Sequence, residues 1–183
     1  MQGMTLEDVN AALDFKVEVM LPNAVKVANV CRDLNLSMIF IHWGYQFPDA
    51  MDLDPVVCAH FRQDLEEDPV RWPHHIGDPD SRPARQFDVR AGEYVIAKTA
   101  MDAFPSSNLD PVLRNLGIRN IVSVGGNTGA CHGMTVRSAR ERGYKVMVVE
   151  DATVDATESK RRHHIERYGY DYLVDTVTFL GLV

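Results

Sequence analysis

Apolar residues along the chain follow two different periodicities. Short runs rich in Val and Ile have the length of buried strands, and they occur at 37–43 ("SMIFIHW"), Glu93–Lys98 ("EYVIAK"), Ile121–Val124 and Val146–Val149. Around these runs, apolar residues recur at the three-to-four-residue spacing of amphipathic helices. Strands that alternate with helices are typical of a parallel sheet covered on both faces. The sequence therefore predicts an α/β fold, a three-layer α/β/α sandwich around a mostly parallel sheet.

The helical pattern fills the segments between these strands. Helices are predicted over 23–34, 108–118, a segment that begins at Cys131, and 158–169. The last apolar segment, "DYLVDTVTFL" (171–180), is predicted to be a terminal strand. No internal repeat or linker divides the chain, so we expect a single domain over residues 1–183.

Proline punctuates the middle of the chain. The stretch from Gly44 to Val89 contains six prolines, and it is predicted to be loop with one short helix over Pro55–Gln63. Loops of this kind supply pocket walls in many enzymes, because they vary without disturbing the sheet.

Composition and charge narrow the class of function. The chain has 183 residues and a net charge of −7, whereas a nucleic-acid binder needs clustered Lys and Arg. The basic cluster "KRRHH" (Lys160–His164) is short and isolated, and we interpret it as a solvated helix start. No run approaches the roughly 18 apolar residues of a membrane helix. Three cysteines without paired spacing favour a reducing, cytoplasmic location, with Cys31 and Cys58 as small core residues.

One cysteine occupies a position that suits a nucleophile. Cys131 lies where the small-residue loop "VGGNTGAC" (124–131) becomes a helix. The first turn of a helix favours a thiolate through its unpaired N–H groups and its dipole, and the same N–H groups can hold an oxyanion. Thr128 is the predicted N-cap of this helix. In a parallel sheet, such a strand-to-helix turn lies at the carboxyl edge, where ligands bind.

A lysine is expected at the same edge of the sheet. Lys98 ends the strand "EYVIAK", and an ammonium group there would stabilise a thiolate and later a negatively charged intermediate. Each residue also has a purely structural interpretation, as a packed thiol and a solvated lysine. Together, Cys131 and Lys98 suggest a catalytic pair.

Two motifs, in the expected order, resemble those of the isochorismatase-like cysteine hydrolases, which include nicotinamidase, N-carbamoylsarcosine amidase, ureidoacrylate amidohydrolase and biuret hydrolase. The first family pattern is a lysine, a phenylalanine six positions later, a small-residue turn and a leucine-rich helix. In this chain it is matched by Lys98, Phe104, Ser106–Ser107 and Leu109. The second is matched by Gly125, Thr128, Cys131, Thr135, Ala139, Gly143 and Asp151–Ala152. The resemblance runs from about Pro22 to the C-terminus.

The resemblance implies roles for residues around the thiol. Cys131 would attack a carbonyl carbon and form a thioester-like acyl-enzyme, and Lys98 would support the thiolate. The oxyanion hole would consist of the backbone N–H groups of Asn127 and Cys131, with a cis peptide bond between Gly126 and Asn127. His132 stands where the family usually has valine, a departure that bears on either substrate contact or helix packing.

The resemblance also implies an acid that this chain lacks. The family's aspartate closes the first strand, typically in an Asp-Met-Gln context, and acts as a proton shuttle. Met1 and Gln2 match the last two residues of that context, so the aspartate would precede residue 1. That strand is central in the family's sheet. We therefore expect an N-terminally incomplete domain, without its first central strand, and a natural protein that begins upstream.

The N-terminal residues offer partial substitutes for the missing strand and acid. "DFKVEVM" (14–20) alternates apolar and charged residues, which suits an exposed edge strand and not a doubly covered central one. Asp8 and Asp14 are candidate replacements for the acid, although both are also interpreted as solvated residues of a surface segment.

No metal or cofactor is predicted. In the family's nicotinamidases an aspartate and histidines around an Asp-Trp-His run hold a metal, but no aspartate directly precedes His42 and Trp43 here. His74 and His75 are adjacent, so their side chains would diverge in an extended loop. The candidate substrate contacts are Trp43, Tyr45, Phe104, Thr128 and His132.

The expected activity is hydrolysis of a small amide or carbamoyl compound. Family members that cleave the isochorismate vinyl ether generally lack the cysteine, so Cys131 favours C–N hydrolysis of a small-molecule substrate. A vinyl-ether hydrolase on the same fold and a non-catalytic family member, motivated by the absent acid, are the alternatives. As the family usually is oligomeric, a homodimer or homotetramer is expected, with no nucleic-acid or membrane partner.

Overall fold

Two parallel sheets form at the positions of the apolar runs. A computed structural model describes residues 5–56, 59, 75–168 and 170–183. Within them, the first sheet pairs β1 (Ile39–Trp43) with β2 (Tyr94–Lys98). The second sheet has the order β3 (Asn120–Gly126), β4 (Lys145–Val154), β5 (Tyr172–Val174). All of these pairings are parallel, as the alternation of strands and helices predicts.

Helices connect the strands and cover both faces of the larger sheet. They are α1 (Leu6–Phe15), a π-helical turn (Lys16–Met20), α2 (Leu21–Asp33), α3 (Ala103–Ser106), α4 (Leu109–Asn115), α5 (Cys131–Glu141), α6 (Glu158–Tyr168) and α7 (Thr176–Gly181). Two short 3₁₀ turns, Pro79–Ser81 and Arg85–Phe87, lie in the proline-rich segment. No helix of the described residues combines the length and apolarity needed to span a membrane.

The alternation of side chains along β4 separates two hydrophobic cores. Val146 and Val148 are fully buried on the face that α5 covers, in one cluster with Val136. Val149 belongs to the cluster on the opposite face, together with Val27 of α2. Because a strand directs successive side chains to opposite faces, a strand that is apolar at every position requires a helical layer on each side. The predicted three-layer α/β/α sandwich is confirmed.

An apolar groove separates the two sheets. Its volume is about 640 Å³, and its sides are the edge residues 39–41 of β1 and 121–126 of β3. α2 closes it on one face and α5 on the other. Within the described residues, neither β1 nor β3 has a second strand partner at this edge. The groove lies where the resemblance expects a central strand.

The prediction for residues 14–20 is wrong, because this segment is helical. α1, the π-helical turn and α2 run without interruption from Leu6 to Asp33. Thr5 starts the helix with a reciprocal capping box to Asp8. Met20 then begins the buried stripe of α2, while Val17 remains 63% exposed.

The predicted terminal strand is also mostly wrong. Only Tyr172–Val174 is extended, and Asp175 then caps α7 by accepting a hydrogen bond from the Thr178 N–H at 2.7 Å. Most of the apolar run therefore belongs to a helix that buries Phe179 against α2.

Most of the helix predicted at Pro55–Gln63, together with Cys58 and His74, lies outside the described residues.

A buried ion pair ties α2 to the start of β2, and its loss should destabilise the fold. Arg32 Nε lies 2.6 Å from Glu93 Oε1, and the two side chains are 6% and 10% exposed. Arg32→Ala leaves the Glu93 carboxylate without its cation, so we expect the free energy of unfolding to fall by about 3 kcal/mol. The control Arg137→Ala removes the exposed Arg137–Glu141 pair and should cost less than about 0.5 kcal/mol. Urea unfolding of both variants measures the difference, and equal losses would contradict the assignment.

Candidate active site

The loop that carries the thiol begins where β3 meets the end of β4. Gly126 lies opposite Val154, so closely that a Cβ at position 126 would be 2.6 Å from Val154 Cγ1. Glycine is therefore required here by close approach. The following Gly126–Asn127 peptide bond is cis, at the position that the resemblance implies. The turn 127–130 then leads into α5 at Cys131.

A backbone carbonyl caps the helix that begins at Cys131. The carbonyl of Asn127 accepts hydrogen bonds from the N–H groups of Ala130 at 3.0 Å and His132 at 3.2 Å. The prediction of Thr128 as N-cap is wrong: the N-cap residue is Ala130, without a side-chain bond. Thr128 is fully buried and donates its hydroxyl to Asp155 Oδ2 at 2.7 Å, so its side chain is committed elsewhere.

Two backbone donors of this loop are left free. Within the described residues, the N–H groups of Asn127 and Cys131 donate no hydrogen bond, although their neighbours Thr128, Ala130 and His132 all do. Unpaired N–H groups at the start of a helix attract negative charge. The two free donors are the pair that the resemblance assigns to an oxyanion hole.

The structure brings Lys98 and Cys131 together. Lys98 Nζ lies 3.2 Å from Cys131 Sγ and donates to the Ala100 carbonyl at 2.8 Å. The ammonium also lies over the Trp43 ring, 4.6 Å from its centroid. Lys98 is only 4% exposed, whereas Cys131 is half-buried. The sulfur, a carbonyl and an aromatic face thus surround the amine in place of water.

Burial and charge act in opposite directions on this amine. Burial lowers the pKa of Lys98 below its ordinary value, while the Cys131 sulfur and the Asp102 carboxylate favour the charged form. In the described residues, no carboxylate forms an ion pair with Lys98. The amine instead faces the Cys131 sulfur at 3.2 Å, an arrangement that suits nucleophilic attack on an electrophilic carbon.

The candidate acids near the N-terminus lie on the surface. Asp8 accepts bonds from the backbone N–H and hydroxyl of Thr5, at 2.9 and 2.8 Å, and so completes the start of α1. Asp14 is exposed. Met1 and Gln2 lie outside the described residues. Neither Asp8 nor Asp14 forms a described contact with Lys98 or Cys131, which fits their interpretation as solvated residues.

The remaining predicted contact residues occupy different surroundings. Trp43 is buried beneath the Lys98 ammonium and is part of the site. Tyr45 packs edge-on against His75, with ring centroids 5.4 Å apart. Phe104 lies in the core beside Tyr144, a position that fits packing. Contact of Trp43, Tyr45 and Phe104 with a substrate stays a prediction.

Of the histidines considered as metal ligands, His75 belongs to a local hydrogen-bond network. His75 Nδ1 accepts from the Gly77 N–H at 3.0 Å, and its Nε2 lies 3.1 Å from the Gln46 carbonyl. Burial lowers the pKa of His42, against the opposing effect of the Ser81 backbone. Among the described side chains, no three His, Cys, Asp or Glu residues converge as metal ligands. The absence of a metal and of a cofactor stays a prediction.

Part of the basic cluster at 160–164 is not solvated, contrary to its interpretation from sequence. Arg161 is 8% exposed and donates to the Glu150 carbonyl at 2.8 Å. His164 Nδ1 lies 3.0 Å from Asp155 Oδ2, directly behind the turn 127–130. An acidic residue immediately after β4, at the carboxyl edge of the sheet, was the available signal for Asp155.

His132 packs beneath the nucleophile and should make stability depend on pH. It is buried, with Nε2 2.9 Å from Ser123 Oγ, and burial lowers its pKa from 6.5 to about 4. The folded state therefore keeps His132 neutral, while the unfolded chain binds a proton as the pH falls below 6.5. This contribution to stability is complete above pH 6.5 and is lost as the pH falls toward 4. Between pH 7 and 5 the loss is about 2 kcal/mol.

The variant His132→Gln keeps a polar group beside Ser123 and does not titrate. We expect urea unfolding to show a smaller loss of stability between pH 7 and 5 in this variant, by about 2 kcal/mol. His163→Gln, at an exposed position of α6, should behave like the wild-type chain. If the wild-type chain and His132→Gln lose equal stability over this range, His132 is not a neutral buried group.

Comparison with known proteins identifies relatives of this chain. The chain matches the family model described as "Isochorismatase domain" over residues 2–178. It is 30% identical to a ureidoacrylate amidohydrolase of Agrobacterium fabrum over 102 residues. This matched region covers 54% of this chain and 44% of that protein. The chain thus spans less than half the length of that relative. The chain is also 23% identical to nicotinamidase 3 of Arabidopsis thaliana over 159 residues. This second matched region covers 85% of this chain and 75% of that protein.

Solved structures with the same fold cover more of the chain. N-carbamoylsarcosine amidase from Thermoplasma acidophilum is 25% identical, with a TM-score of 0.69 over 91% of this chain and 85% of that one. An isochorismatase family protein from Desulfovibrio vulgaris, 19% identical, shares the fold with a TM-score of 0.78 over 100% of this chain and 90% of that one. Since the family model spans nearly all of its residues, the chain belongs to the isochorismatase family.

Proposed function

We propose that this chain is a cysteine-dependent hydrolase of a small amide or carbamoyl compound, acting through an acyl-enzyme. The observation that carries the proposal is the 3.2 Å contact between Lys98 Nζ and Cys131 Sγ at the carboxyl edge of the sheets. The relatives named above as an amidohydrolase, a nicotinamidase and an amidase support C–N hydrolysis as the class of reaction.

The first half of the proposed reaction forms a thioester. The Cys131 thiolate attacks the carbonyl carbon, a C–S bond forms, and the carbonyl oxygen becomes an oxyanion. The free N–H groups of Asn127 and Cys131 are the donors for that oxyanion. The tetrahedral intermediate then collapses, the C–N bond breaks, and the departing nitrogen takes a proton from an acid. Lys98 remains an ammonium throughout and compensates the negative charge on the sulfur or oxygen.

The second half of the proposed reaction releases the acid product. A water molecule gives a proton to the conjugate base of the same acid and attacks the thioester carbon. The C–S bond breaks, the Cys131 thiolate returns, and the carboxylic or carbamic acid leaves. Among the described residues, no carboxylate forms a hydrogen bond or ion pair with the Cys131 sulfur, so we propose that a segment outside these residues supplies the proton shuttle.

The groove between β1 and β3 is the proposed place for that segment. Both of its sides are strand edges, so an inserted strand would form backbone hydrogen bonds to 39–41 on one side and 121–126 on the other. Its two faces are apolar, with Val27 on one and Val136 on the other. An apolar strand that ends at the carboxyl edge would place its last side chain on the same edge as Lys98 and Cys131.

A non-catalytic role is the second candidate, favoured because no carboxylate among the described residues forms a hydrogen bond or ion pair with Lys98 or Cys131. Such a protein would bind a small molecule at the same edge without hydrolysing it. The assay below separates the two roles. A homo-oligomeric state and a cytoplasmic location stay predictions.

Replacement of the catalytic pair should abolish or strongly reduce turnover. In a screen of carboxamide and carbamoyl compounds for ammonia release, Cys131→Ala should remove activity completely. Lys98→Met should reduce kcat/KM by on the order of 100-fold, because the charge that faces the sulfur is lost. Controls are Lys145→Met, an exposed lysine at the start of β4, and Cys31→Ala, whose thiol pKa is raised by burial. Turnover that survives in Cys131→Ala eliminates the mechanism.

Filling the groove should both stabilise the chain and supply the acid. We expect a chain extended before Met1 by a short run of β-branched residues and an aspartate to unfold at higher urea concentration. The free energy of unfolding should rise by about 3 kcal/mol, because each buried backbone hydrogen bond that forms contributes on the order of 1 kcal/mol. The same extension ending in asparagine should stabilise equally but hydrolyse far more slowly. If neither extension changes stability, the groove does not accept a strand in this position.

A further inference from the structure

A carboxylate lies directly behind the turn that presents the two free N–H groups. Asp155 follows β4 and is buried. Its Oδ2 accepts hydrogen bonds from the Thr128 hydroxyl at 2.7 Å and the Gly129 N–H at 2.6 Å. Its Oδ1 accepts from the Ala156 N–H at 2.6 Å. The carboxylate therefore holds the middle of the turn 127–130 against the end of β4, where the Thr128 N–H also bonds the Val154 carbonyl at 3.0 Å.

A histidine from α6 reaches the same carboxylate. His164 Nδ1 lies 3.0 Å from Asp155 Oδ2. Burial alone would raise the pKa of Asp155, but the hydrogen bonds from Thr128, Ala156 and Gly129 hold it below its ordinary value. An ionised carboxylate only accepts hydrogen bonds, so His164 is the donor through its Nδ1–H.

The histidine ring also fixes the turn by direct contact. A Cβ at Gly129 would lie 2.1 Å from His164 Cε1, so the ring rests directly against the glycine backbone. On its other side the ring stacks on Tyr168, with centroids 5.8 Å apart and planes inclined by 15°. A Cβ at Gly133 would lie 1.9 Å from the Thr128 carbonyl oxygen and 3.2 Å from Tyr168 Cε2. β4, α6 and the first turn of α5 therefore enclose the turn.

We infer that Asp155 and His164 are positioning residues for the oxyanion hole, an inference that rests on the proposed function. They hold Thr128 and Gly129, which lie in the chain between the two free N–H donors of Asn127 and Cys131. The Lys98–Cys131 contact comes from β2, a different element, and does not involve Asp155 or His164. Loss of the anchor should therefore weaken reactions that pass through an oxyanion and spare reactions that need only the thiolate.

Two reagents separate these effects. p-Nitrophenyl acetate transfers its acetyl group to sulfur through a tetrahedral oxyanion, and p-nitrophenolate leaves. Iodoacetamide forms a C–S bond by displacing iodide, with no oxyanion. We expect Asp155→Asn and His164→Ala to slow acetylation of Cys131 by on the order of 10- to 100-fold. Alkylation by iodoacetamide should stay within about twofold of the wild-type rate, since the Lys98 contact is intact.

Conservative and neighbouring variants serve as controls. His164→Asn keeps a donor near the position of Nδ1 and should recover most of the acetylation rate. His163→Ala changes the adjacent exposed histidine of α6, which meets the His164 ring edge-on at 5.5 Å but lies outside the turn, and should have no effect. His164 is only partly buried, so its variants test the inference even if Asp155→Asn does not fold.

Each outcome has a distinct meaning. Unchanged acetylation in His164→Ala would overturn the inference, as would equal losses in acetylation and alkylation, which would indicate general disruption of the site. Acetylation that persists in Cys131→Ala would instead remove the proposed function, whatever the His164 variants show.

Discussion

The contact between the Lys98 amine and the Cys131 sulfur crosses from one sheet to the other. Lys98 ends β2 in the smaller sheet, while Cys131 follows β3 in the larger one. An amine removed from water at this point needs a partner, and the sulfur, a carbonyl and the Trp43 ring supply it. The distance between Lys98 and Cys131 therefore depends on the separation of the two sheets across the groove between β1 and β3.

The thiol is held in place mainly by backbone groups. The Asn127 carbonyl satisfies the N–H groups of the first turn of α5, and this leaves the Cys131 N–H free. The Thr128 side chain does not cap the helix. Its hydroxyl instead donates to Asp155 and so fixes the turn 127–130. Loop glycines at 126 and 129 are required by close approach to Val154 and His164. Rigid support of this kind is what a preorganised oxyanion hole requires.

Strands β1 to β4, the loop before α5 and the Lys98–Cys131 pair were predictable from sequence, because the buried runs of parallel strands are apolar and the strands end at a common edge. The helical conformation of 14–20 was missed, since Val17 and Val19 are exposed and imitate the alternation of a strand. An acidic residue directly after β4 was a signal for Asp155, but its contact with His164 was not predictable. The contact forms because α6 folds back over the turn 127–130. His164 follows Gly129 by 35 residues in the chain, and no local sequence pattern indicates a contact over that separation.

Covalent chemistry at one sulfur is the claim on which the functional proposal depends. Acid quenching during the hydrolysis of p-nitrophenyl acetate, followed by proteolysis and mass spectrometry of the peptides, identifies the side chain that carries the acetyl group. We expect the acetyl group on Cys131 and not on Cys31 or Lys98. Catalytic release of p-nitrophenolate with an unmodified Cys131, or with the acetyl group on Lys98, is incompatible with a thioester intermediate at this site.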